Sequence, residues 1–136
     1  MISWHHRKLM RLVMAAFYGA AGVLHVMSPT GFLLIVPPWV PWPQSVVWLT
    51  GLAEIAGAIA LFVPKLRHAA GLGLAAYAIC VFPANIYHAV YMVPVAGLPN
   101  SWWYHGPRFL AQPVLVWWAL YCSEVINWPF RLKRFQ

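Results

Sequence analysis

Acidic side chains are almost missing: Glu54 and Glu124 are the only two in 136 residues. All charged residues together make up 8% of the chain, against 62% hydrophobic, and the mean hydropathy is +0.67. A water-soluble domain of this length needs far more charged surface. Composition therefore excludes that class and points to an integral membrane protein whose first partner is the lipid bilayer. Cysteine is scarce too. Cys80 and Cys122 lie outside any CxxC spacing and, by helical rise, at depths more than ~10 Å apart, which excludes a disulfide framework and a dithiol redox centre. The sequence also lacks a phosphate-cradling glycine loop and a nucleophile triad. Its basic residues cluster at the ends of apolar runs and form no stripe, so the net charge of +7 reflects orientation in a bilayer and not nucleic-acid binding.

What the chain does have is long apolar runs. Four of them, near residues 9–27, 45–63, 68–93 and 107–126, are about the length a helix needs to cross a bilayer. They predict an all-α fold, an integral membrane four-helix bundle forming a single transmembrane domain over residues 1–136. Ser28-Pro29 stops the first run and Pro64 the second. Pro83 and Pro113 fall inside the third and fourth, where each should kink its helix, Pro83 freeing a carbonyl near Ile79. The basic start followed by an apolar run resembles a signal peptide, but the run carries His25 and no convincing cleavage site, so a retained helix is expected. Residues 30–44 are too short and proline-rich to span, and too apolar for a loop free in water. They predict an interfacial or re-entrant loop between helices 1 and 2, with Trp39 and Trp42 at headgroup level. Trp102-Trp103-Tyr104 supplies a second aromatic belt in the last loop, just before a fourth span beginning near Arg108.

The basic residues orient these spans. Arg7, Lys8 and Arg11 precede the first, Lys65 and Arg67 follow the second, and Arg131, Lys133 and Arg134 follow the fourth, while the opposite side has only Arg108. The positive-inside rule then makes both termini cytoplasmic.

Glu54 is the residue of most interest. It sits in Gly51-Leu52-Ala53-Glu54-Ile55-Ala56-Gly57, midway along an otherwise uncharged run. An acid at such depth is costly unless paired, protonated or wetted, which makes it a functional-site candidate. At roughly 1.5 Å of rise per residue, His25, Asn85, Arg108 and Gln112 all fall in the same outer half of the bundle. Arg108 and Gln112 share a face at i,i+4 spacing. Arg108 is the natural counter-ion for Glu54, directly or through Gln112 and water, unless it anchors at the headgroups instead. His25, Glu54, Asn85, Arg108 and Gln112 are thus the candidates for ligand binding or proton exchange, with His25 the one whose ordinary pKa lies near neutrality. Buried amides also serve simply to hold membrane helices together. His88 falls about two turns from any facing position, and with His25 and His105 it forms no recurring ligand spacing, so no metal is expected. The inner half offers mainly Ser123 and Glu124.

Gly22-Val23-Leu24-His25 followed by Pro29, the Gly51–Gly57 stretch, Pro83-Ala84-Asn85-Ile86 and Arg108-Phe109-Leu110-Ala111-Gln112, in that order and covering nearly the whole chain, resemble the DoxX and DoxX-like family of small four-helix membrane proteins. The five polar candidates match its recurring polar positions. The resemblance implies a bacterial inner membrane, an association with quinone-linked redox or oxidative-stress metabolism, and a redox or respiratory-type partner subunit. Direct thiol–disulfide activity lacks its cysteine pair here. Three functions follow as expectations. One is a quinone or small lipophilic ligand site open toward the outer leaflet. Another is a non-catalytic structural or assembly subunit of a larger membrane complex, working through lipid-facing small residues such as Gly71, Ala75 and Ala78. The third is a proton-coupled small-molecule exporter, which would have to form a homo-oligomer to enclose a path.

Overall fold

The structure, a computed structural model, describes residues 4–129. Among these the regular structure is entirely helical: α1 Trp4–Met27, α2 Thr30–Leu34, α3 Pro43–Ala60, α4 Arg67–Val90 and α5 Trp102–Cys122. The all-α expectation is met, and the four long helices correspond to the four apolar runs. Two of them, over His5–Met27 and Arg67–Val90, are long and apolar enough to cross a membrane. α3 begins with Pro43 and Gln44 and carries Glu54, and α5 carries two prolines, Arg108 and Gln112, which dilute their apolar character.

Local signals explain most boundaries. Pro29 ends α1 and starts α2. Pro43 occupies the first position of α3, where its missing N–H costs nothing, after Trp42 in the left-handed region at φ 47°. At the far end of α3, the Arg67 side chain donates from Nε to the Leu61 carbonyl at 3.2 Å. α5 departs from expectation. It starts at Trp102, well before Arg108, so the supposed aromatic loop Trp102-Trp103-Tyr104 is the first helical turn. Pro107 is tolerated inside it because it withholds one hydrogen bond, from the carbonyl of Trp103, at the solvent- or lipid-facing start of the helix where Trp103 is fully outward.

α1 packs chiefly on α3, and α4 chiefly on α5. Between the pairs lies a core that includes Met14, Tyr18, Leu61, Leu74, Ala119 and Cys122. One end of the bundle is tied by ions. Glu124, itself in the left-handed region at φ 69°, accepts from Arg11 at 2.7 Å and from Arg67 at 3.1 Å. Arg11 also donates to the Cys122 carbonyl at 3.0 Å, while Arg7 lies over the Tyr121 ring at 4.3 Å and donates to the Ile126 carbonyl and Asn127 Oδ1. The start of α1, the end of α3, the start of α4 and the end of α5 therefore meet at this end, as an up-and-down arrangement requires. Arg7 and Arg11, on which the positive-inside expectation rests, are buried structural residues, 2% and 6% exposed. The basic tail Arg131, Lys133 and Arg134 lies outside the described residues.

The small residues of α4 do not face outward as expected. Gly71, Ala75 and Ala78 are all buried, and a Cβ at Gly71 would collide with the Ser123 side chain following α5. These residues serve helix packing within the chain, with Gly71 leaving room for Ser123 and the Ala119 carbonyl.

Candidate functional site

At the end opposite the Glu124 clamp, the helices and the segment after α2 line a half-open cavity of about 740 Å³. His25, Glu54, Asn85, Arg108 and Gln112 all stand on its walls. The walls between them are mainly apolar, from Phe17, Tyr18 and Leu115 on the helices and Ile35, Val36 and Val40 on the segment after α2. The proline-rich loop thus lines the cavity at one side. Phe32 of α2 stacks on the His25 imidazole with centroids 3.7 Å apart, and Trp39 meets Tyr87 of α4 edge-on.

Two polar clusters stand on these walls. The first joins α1 to α3. His25 Nδ1 is 2.9 Å from Glu54 Oε2 and also 2.9 Å from the Ala21 carbonyl oxygen one turn back. The ring N–H direction serves the carbonyl, so Oε2 is buried beside the imidazole without receiving a well-directed hydrogen bond. Helix geometry explains how the two residues meet. Gly22 and Gly51 touch where the helices cross: a Cβ on Gly22 would lie 2.5 Å from the Gly51 carbonyl oxygen, and one on Gly51 would lie 2.6 Å from His25 Cβ. His25 and Glu54 each follow their glycine by three residues, and the helices run in opposite directions, so their backbones are offset along the axis by roughly 9 Å. Side chains lean toward their own N-terminus, which in an antiparallel pair tilts these two toward each other. Tyr18 and Tyr77 lie within the field of the same carboxylate.

The second cluster joins α4 to α5. Arg108 donates from Nη2 to Asn85 Oδ1 and from Nη1 to His88 Nδ1 at 3.0 Å, and its guanidinium covers the Tyr104 ring at 4.9 Å. Asn85 Nδ2 donates to Gln112 Oε1 at 3.2 Å, and Gln112 Nε2 donates to the Ala78 carbonyl. That carbonyl lies in the turn where Pro83 withdraws a backbone donor, next to the position expected near Ile79. Because arginine has no lone pair to offer, His88 must accept at Nδ1 and carry its proton on Nε2. Behind it, His105 packs edge-on with centroids 4.7 Å apart.

Three expectations need correction. Glu54 and Arg108 form no direct ion pair: the carboxylate has His25, and the guanidinium is held on the other helix pair by Asn85 and His88. Nor is Arg108 a headgroup anchor, since its side chain is turned into the bundle. His88 is also not remote from the site, being only 1% exposed and in direct contact with Arg108. Its position was available from spacing, because His88 follows Asn85 by three residues and Tyr104 precedes Arg108 by four, each on the face of its partner.

Residues 14–123 match a family described as a domain of unknown function, DUF8561, and the chain belongs to that family. Comparisons with curated proteins and with solved structures return no match.

Proposed function

We propose that this chain is a membrane-embedded four-helix protein whose cavity binds a quinone or a closely similar lipophilic ring. A single observation carries this reading: one apolar cavity has the buried Glu54 carboxylate, paired with His25 but with no well-directed hydrogen bond at Oε2, on one wall and an arginine with amides on another. The quinol form of such a ring complements the chamber, one O–H donating to Glu54 and the opposite oxygen accepting from Arg108, Asn85 or Gln112, while the quinone form, which only accepts, is held by the arginine and amides. The volume is in the range typical of small-molecule sites.

Membrane insertion is supported by the outward faces. Leu9, Phe17, Leu49, Ile59, Leu72, Ile79 and Leu110 are all exposed, an apolar exterior larger than a soluble monomer presents. Only 28% of each candidate span is buried, whereas the core helix of a soluble protein is mostly buried. With Arg7, Lys8, Arg11, Lys65 and Arg67 at the clamp end, that end faces the cytoplasm of a bacterial inner membrane, and the cavity lies in the outer half with Trp39 on its wall. A DoxX-like role in quinone-linked redox metabolism agrees with this placement. Reducing a quinone to a quinol takes two electrons and two protons. The chain carries no cofactor motif to supply electrons, so a redox partner subunit delivers them, while His25 and Glu54 exchange protons.

The test is titration of the purified protein in lipid nanodiscs with 2-methyl-1,4-naphthoquinone and with its quinol, followed by quenching of the cavity aromatics. Saturable binding of both is expected, that of the quinol weakened by Glu54→Gln. Absence of saturable binding, or a quinol affinity indifferent to Glu54→Gln, overturns the reading.

A further inference from the structure

We infer that the ligand carries an oxyanion, held by Arg108: the cavity selects a lipophilic acid or acidic hydroxyquinone over its neutral analogue. This inference deepens the quinone-type reading and rests on it. It starts from a count. The sequence has two acidic side chains, and both are engaged elsewhere, Glu124 by Arg11 and Arg67, and Glu54 by His25. No acid of this sequence's side chains is left for Arg108. The partners that hold Arg108 are all uncharged: the amide oxygen of Asn85, the lone pair of His88 and the face of Tyr104.

A cation partly withdrawn from water among neutral partners retains an unbalanced charge, which a bound anion relieves. The geometry leaves room for one. A guanidinium has five N–H donors, and Arg108, which lines the cavity, commits two of them to Asn85 and His88, so its donor capacity exceeds those two partners. His88 and Asn85 act as positioning residues: they fix the plane of the guanidinium from behind and contribute no negative charge that would compete with the ligand. The Glu54 wall then disfavours a second negative group, so the recognised molecule has one ionised oxygen at one edge and no second charge at the other.

An anionic phospholipid headgroup offers the same chemistry as a free lipophilic acid, so the experiment has two arms. In nanodiscs of purely zwitterionic lipid, the wild-type protein is titrated with 2-hydroxy-1,4-naphthoquinone, an acid ionised at neutral pH, and with its neutral 2-methyl counterpart. The hydroxy compound is expected to bind about tenfold more tightly, as a charge-assisted contact replaces a neutral one. Arg108→Gln should abolish the preference and Arg108→Lys should keep most of it. Equal affinities in the wild type overturn the inference while leaving the quinone-type reading in place. Binding of neither compound overturns both. If Arg108→Gln does not fold, the wild-type ratio and the lysine variant still decide. The second arm repeats the titration with phosphatidylglycerol present. Unchanged binding assigns the site to the free acid, and competitive loss of the hydroxy compound assigns the oxyanion to the lipid.

Discussion

Glu54 and Arg108 stand on the walls of one cavity, each with its own partner: His25 Nδ1 lies 2.9 Å from the carboxylate, and Asn85 and His88 hold the guanidinium. Opposite charges inside a bundle ordinarily pair with each other. Here they are kept apart by the pairing of the helices, α1 with α3 and α4 with α5, and the gap between the pairs is the cavity.

The α1–α3 crossing makes the first prediction. Gly22→Ala and Gly51→Ala each place a methyl group against backbone of the other helix. Each is expected to destabilise the protein by about 1–3 kcal/mol, as overpacking does, and to weaken ligand binding because His25 and Glu54 are pushed out of reach. Gly73→Ala is the control, since nothing lies within 4 Å of its Cβ position, and it should be neutral or stabilising by roughly 0.5–1 kcal/mol. Thermal unfolding in detergent separates the three. Equal melting temperatures for Gly22→Ala and Gly73→Ala contradict the close approach.

Glu124→Gln breaks both ion pairs at the clamp end and leaves Arg11 and Arg67 facing one another. A loss of about 2 kcal/mol is expected, below the cost of breaking a fully buried pair because Glu124 is partly exposed. Ligand affinity should survive in the protein that remains folded, because the cavity lies at the other end. A variant as stable as the parent counts against the clamp.

The two cysteines differ in access. Cys80 is exposed and lines the cavity, whereas Cys122 is fully buried with its sulfur 3.7 Å from Met14 Sδ. A membrane-permeant maleimide is expected to modify Cys80 and spare Cys122 in the folded protein, with modification of Cys80 slowed by saturating 2-methyl-1,4-naphthoquinone. Mass spectrometry of the peptides reads both, and prompt labelling of Cys122 contradicts the packing of α5 on α1.

His88→Ala removes the acceptor behind Arg108 and leaves a guanidinium donor unmet. Ligand affinity should fall by about tenfold or more, as expected for one lost hydrogen bond to a charged group, while His88→Gln, which retains an acceptor, restores part of it. Calorimetric titration checks this pair, and identical affinities for the two variants refute a positioning role.

Composition and spacing in the sequence were sufficient to locate the four long helices, but not the short α2 or the first turn of α5, both of which lie in stretches expected to be loop. Apolar runs broken by Pro29, Pro43 and Pro64 leave the chain little choice but helices of these lengths, and depth along each run places His25, Glu54, Asn85, Arg108 and Gln112 in the same half of the bundle. These are one-dimensional properties, set by rise per residue and by where prolines interrupt the hydrogen-bond ladder. Partner choice is different, because it depends on which helix lies beside which and how each is turned about its axis. Only the tertiary structure decided that Gly22 meets Gly51 and so gives Glu54 to His25. The same packing turned His88 toward Arg108 and drew Gly71 inward against Ser123. Side-chain direction in an antiparallel crossing makes or breaks a contact across roughly 9 Å of backbone offset, and no spacing along a single chain records it.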